Sequence, residues 1–170
     1  GSYNMYYNPS TYELTYLNTA PSISQGILTT NIIPNPVTVI PFSVDVDPYN
    51  WIKNPGTSNM VFQPTIQGYY LITINTSWGG GNVTSGSQRV FINFNPSSTN
   101  TIEMFAAQPG NPYTEWITIN GSKLIYFNGV GDNINFTAYT NSGSQNLGFE
   151  TSVTGNSGSA STFFHAILQK

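Results

Sequence analysis

The chain has 170 residues, a net charge of −3, and only 6% charged side chains. Its four basic residues are Lys53, Arg89, Lys123 and Lys170, too few to build the patch that phosphate neutralisation demands, so nucleic acid is excluded as a partner. The same scarcity excludes polybasic membrane binding, no run approaches the length needed to span a bilayer, and the absence of cysteine removes disulfides, thiol catalysis and zinc–thiolate sites.

Polarity comes from uncharged groups. There are 21 Asn and 38 Ser plus Thr, against 14% aromatics, a balance that suits half-buried pleated surfaces rather than disorder. No segment sustains a 3.6-residue period, whereas apolar runs punctuated by turn residues recur throughout.

In chain order, MYYNPSTYELTY reads as a hairpin turning at Asn8-Pro9-Ser10-Thr11. Residues 18–35 read as a connector with short extended pieces. VTVIPFSVDV (37–46) is a strand interrupted by Pro41, which places it on an edge or at a bulge. PYNWIKNPGTSN is a long loop, and MVFQPTIQ a short strand pair or corner. GYYLITINTSW (68–78) is the clearest strand. Tyr70, Ile72, Ile74 and Thr76 lie on one face; Tyr69, Leu71, Thr73 and Asn75 lie on the other. GGGNVTSG carries no lysine and opens no helix, so it is a loop and not a phosphate cradle. Strands follow at 88–95 and 101–107. TEWITIN and SKLIYFN read as two strands joined by a two-residue turn at Asn120-Gly121. NINFTAYTN, NLGFETSVT and STFFHAILQ complete the series.

This spacing predicts an all-β sandwich or barrel over residues 36–170, preceded by an extended N-terminal segment over 1–35. The predicted core is Tyr70, Ile72, Ile74, Val90, Ile92, Phe94, Leu124, Ile134, Phe136, Phe164 and Leu168. In the final strand Phe163, His165 and Ile167 point one way; Phe164, Ala166 and Leu168 point the other. Both faces are apolar, so one needs cover from the core and the other from more core or a neighbouring subunit.

Catalytic chemistry is thinly represented. His165 is the single histidine and sits mid-strand among Phe and Ala, a poor place for a nucleophile's base. Glu103 and Glu115 are unsupported as a glycosidase pair. Asp45 and Asp47 share one face of a strand and invite a hard cation, calcium, against the plainer reading of a solvated edge. Asp132 in GVGDN reads as a turn residue. Tyr49, Trp51, Tyr113 and Trp116 fall in or beside loops. There their rings either stack on sugars, with Asn and Asp side chains binding hydroxyls, or plug the ends of the sandwich.

Three segments in order carry a resemblance. GYYLITINTSW resembles the G-x-Y strand near the middle of C1q/TNF-like domains. SKLIYFNGVGDNINFTAYTN resembles their strand, Gly-Asp turn, strand unit through Gly131-Asp132. STFFHAILQK resembles their last strand through Ser161, Thr162, Phe163 and Leu168, with His165 and Ala166 where the family carries a small glycine. The match spans about residues 40–170. It implies a ten-strand antiparallel jelly-roll sandwich that assembles as a homotrimer, with Tyr70, Phe163, His165 and Ile167 in the core or at the subunit interface. The charge-poor, Asn-rich style resembles viral and phage fibre proteins and bacterial collagen-like surface glycoproteins. The expectation is therefore a non-enzymatic trimeric head on a virion surface or outside the cell, either presenting loops to a host-surface glycan or protein receptor or simply capping the structure. The alternative is a monomeric carbohydrate-binding module.

Overall fold

A computed structural model describes residues 3–8, 13–18, 23–30, 32, 34, 37–79, 88–96, 101–107, 117–140, 146–148, 152–153, 156–157 and 162–169. All regular structure among them is β. The strands are β1 (Tyr3–Asn8), β2 (Glu13–Asn18), β3 (Ile23–Ile27), β4 (Val37–Val39), β5 (Ser43–Val46), β6 (Ile52–Lys53), β7 (Val61–Phe62) and β8 (Gly68–Gly79). There follow β9 (Gln88–Phe94), β10 (Thr101–Ala107), β11 (Ile117–Phe127), β12 (Ile134–Thr140), β13 (Asn146–Leu147), β14 (Ser152–Val153), β15 (Asn156–Ser157) and β16 (Phe163–Gln169).

Two antiparallel sheets face each other. One runs β10-β9-β12-β7-β6, with β4 also on β12; the other runs β11-β8-β16-β3-β5, with β13 also on β8. The two paths hold ten strands, the jelly-roll plan anticipated from the sequence. β1 pairs with β2 as the expected hairpin. Residues 23–27, read from sequence as connector, are an interior strand, paired on one side with β16 and on the other with β5.

Pro41 marks a change of sheet. β4 pairs with β12 in one sheet and β5 with β3 in the other. The intervening Ile40-Pro41-Phe42 spans the gap, with Ile40 and Phe42 fully buried. A residue without an N–H fits a point where the chain leaves one ladder for the next.

The Asn120-Gly121 turn does not form. Residues 117–127 are one strand, and Asn120 and Gly121 stand opposite Asn75 and Ile74 of β8. A two-residue hairpin needs positive φ at its central positions, and neither residue has it. The long β8 supplies a partner for every residue from Ile117 to Phe127, and that continuous ladder outweighs the local turn preference.

The core lies between the sheets and is aromatic. Phe42 meets Phe136 edge-on at 5.5 Å, and Phe62 meets Phe127 at 5.7 Å, the geometry ring quadrupoles favour. Tyr70, Ile72, Ile74, Val90, Ile92, Ile134, Phe136 and Phe164 are fully buried, as read from sequence, and Phe94 and Leu168 pack against them. Leu124 is a correction: it is 54% exposed, while Ile125 and Phe127 turn inward. Residues 124–127 are apolar at every position, so alternation gave no phase there.

Gly26 is held to glycine by the core. It stands opposite Phe164 across the β3–β16 ladder. A Cβ on Gly26 would lie 2.3 Å from Phe164 Cε1 and 3.0 Å from Phe42 Cβ. The Phe164 ring fills the space a side chain would take.

Candidate assembly face

The outward face of the β11-β8-β16-β3-β5 sheet is built from side chains in register. Leu124, Leu71, Ile167 and Ile23 form one row across four strands. Next to it Tyr126 stands opposite Tyr69, with ring centroids 5.2 Å apart. Tyr69, Leu124 and Tyr126 are 55%, 54% and 43% exposed. On the other side of the apolar row come Ser122, Thr73, His165 and Gln25, followed by Val46 of β5. Thr73 and Ser122 share a hydroxyl hydrogen bond of 2.7 Å. Phe163 opposes Ile27 one row further on, and its ring lies 4.8 Å from the His165 imidazole, tilted by 30°.

The opposite sheet presents different chemistry outward. Asn93 Nδ2 donates to Asn135 Oδ1 at 2.8 Å and to Thr137 Oγ1 at 3.2 Å. The Arg89 guanidinium lies over the Tyr139 ring at 5.8 Å. One outer face thus mixes bonded amides and hydroxyls and a cation–π contact with Phe91, Val39 and the 54% exposed Val37. The other is an aliphatic and aromatic surface that carries the His165 imidazole beside the Tyr69 and Tyr126 phenols. Burial lowers the His165 pKa below its ordinary value, and the charge of Asp45 acts in the opposite direction.

The other sequence-predicted residues fall elsewhere. Tyr70 points inward from β8 and belongs to the core, not to the outer face. Its hydroxyl donates to the Ile66 carbonyl at 2.9 Å, and burial pushes its pKa up to about 12. Trp51 takes the second of its two expected places, inside the end of the sandwich, and is 1% exposed; its indole N–H donates to Thr65 Oγ1 at 3.0 Å and its ring meets Phe62 and Tyr70 edge-on. Tyr49 stacks on it at 4.7 Å and remains 48% exposed. Tyr113, Trp116 and the glycine-rich loop after β8 lie outside the described residues.

Asp47 does structural work. Its Oδ1 accepts from the Ser24 hydroxyl at 2.9 Å and its Oδ2 from the Ile52 amide at 2.6 Å. These bonds tie the loop before β6 to β3, whereas Asp45 is exposed. Among the described residues no group of three or more His, Cys, Asp or Glu side chains gathers to hold a metal. Asp47→Ala is expected to lower stability by about 1–3 kcal/mol by leaving the Ile52 amide unpaired, read as a fall in urea midpoint with unchanged slope. Asp132 closes the turn after β11 as anticipated, accepting from the Asn128 amide at 2.9 Å and from Asn95 Nδ2 at 3.1 Å.

Sequence reasoning selected Phe163, His165 and Ile167 for this face but not Tyr69, Leu71, Leu124 or Tyr126. The available signal was the first half of residues 68–78, where large apolar residues occupy both faces of one strand.

No family model and no curated protein sequence matches the chain. Solved structures do. A crystal structure of murine APRIL superposes with a TM-score of 0.56 at 12% identity, covering 88% of this chain and 100% of that one. Eiger TNF from S. frugiperda superposes with a TM-score of 0.54 at 8% identity, covering 88% of this chain and 93% of that one. The chain has a TNF-like jelly-roll fold.

Proposed function

We propose that this jelly-roll is a non-enzymatic trimeric head domain of a viral-type fibre or surface protein. Three copies pack through the outer face of the β11-β8-β16-β3-β5 sheet and display their loops to a host-surface receptor. The observation that carries the reading is the unbroken apolar continuity of that face across neighbouring strands. Tyr69, Leu71, Leu124, Tyr126 and Ile167 present contiguous apolar surface without a permanently charged side chain in their rows, which is the composition of an interface centre. The other sheet interrupts its outward Phe91, Val39 and Val37 with the mutually bonded Asn93, Asn135 and Thr137 and with the Arg89–Tyr139 contact. The TNF/C1q-like resemblance implies three-fold assembly, and the Asn-rich, charge-poor surface supports a viral-type setting outside the cell. Threefold display turns weak single-site contacts into avidity.

Light scattering after size exclusion, at low micromolar concentration, tests this. A mass three times the 18.6 kDa of the chain is expected. A single-chain mass would overturn the assembly and favour the second reading, a monomeric carbohydrate-binding module using the exposed Tyr49 ring.

A further inference from the structure

We infer that His165 makes self-association pH-dependent: copies hold together while the imidazole is neutral and separate when it is protonated. The inference rests on the assembly reading above and adds a regulation to it.

The geometry is specific. His165 lies on β16, the middle strand of its sheet's path. Thr73 of β8 and Gln25 of β3 flank it in register. Both are uncharged, and Phe163 covers one side of the ring. β3 carries no titratable group. On β8 the titratable side chains are Tyr69, on the same face, and Tyr70, which points inward; on β11 they are Tyr126 and Lys123. β5 brings Asp45, and Asp47 follows it with both carboxylate oxygens bonded to Ser24 and Ile52. A second copy laid on this face removes further water from the imidazole.

The direction follows from that burial. It already lowers the His165 pKa in the single chain, against the pull of Asp45, and assembly buries the ring further. The assembled form therefore binds fewer protons than the separated one. Association is strongest above the separated chain's pKa and weakens as pH falls through it, until the lower pKa of the assembled form is reached. Each proton taken up on separation changes the association constant by about tenfold per pH unit, so three copies change it by up to about a thousandfold.

Sedimentation velocity of the untagged protein and of His165→Gln, from about pH 8 to about pH 5, tests the inference. The expected result is a trimer that separates on acidification and a variant that remains a trimer throughout. A wild-type trimer at every pH, or a variant that separates in parallel, overturns the switch and leaves the assembly standing. A wild-type monomer at every pH overturns both. Should the variant fail to fold by circular dichroism, the imidazole resonance of the wild type decides, since the chain has one histidine. Its pKa is expected to fall as protein concentration rises; a concentration-independent pKa overturns the inference.

Discussion

Replacing Gly26 by alanine is expected to destabilise the fold by about 1–3 kcal/mol, the usual cost of overpacking a filled core. For a chain of this size that lowers Tm by roughly 2–12 °C at fixed protein concentration. The added Cβ would lie 2.3 Å from Phe164 Cε1, closer than such contacts are found, and 3.0 Å from Phe42 Cβ. The Phe164 ring has little room to retreat, because Phe136 and Phe42 lie 4.7 and 5.0 Å from it. Phe164→Ala alone is expected to cost about 3–5 kcal/mol through the cavity it leaves. The double variant should cost less than the sum, because the new methyl group enters space the ring has vacated. A double-mutant cycle by urea denaturation measures that coupling. Additive costs would show that the two positions do not contest one volume.

The second large effect is on assembly. Leu124→Asp should leave the fold intact, since the side chain is 54% exposed in the single chain. Yet it places a carboxylate in the row shared with Leu71, Ile167 and Ile23. Burying an unpaired charge in three equivalent places costs several kcal/mol at each. At low micromolar concentration the expected mass falls from three chains to one, with Tm governed by the single chain. Val37→Asp is the control. Val37 is equally exposed at 54% but lies on β4, in the other sheet, and its mass should not change. Loss of the trimer in both variants would point to general destabilisation rather than to this face.

Much of the fold was legible because its signals are local. Alternation in residues 68–78 placed Tyr70, Ile72 and Ile74 inside, and the final strand sorted itself in the same way. The errors have one physical cause: strand partners are chosen over long distances. Asn120-Gly121 carries strong turn chemistry, but eleven consecutive partners on β8 override it. Leu124 cannot be phased from a segment where every residue is apolar. Residues 23–27, ISQGI, alternate weakly and read as connector; their place depends on β16, more than a hundred residues away. Trp51, open from sequence between solvent and the end of the sandwich, takes the buried place, where the Thr65 hydroxyl accepts its N–H. The assembly face was half legible. Phe163, His165 and Ile167 marked the outer side of one strand as a candidate assembly face, but the neighbouring rows became visible only once register joined them.

The position of β16 also orders events during synthesis. It is the last of the described strands to be made, yet it separates β8 from β3 in the finished sheet. Until residues 163–169 leave the ribosome, β3 and β8 have no ladder between them, and Phe164 is missing from the ring cluster. The nascent chain therefore holds open strand edges and an unfilled interior until those residues emerge, the condition in which β-rich chains pair wrongly with their neighbours. Closure of the sandwich waits for the strand that also carries Phe163, His165 and Ile167. A chain thus completes its outer apolar face in the same step that completes its core.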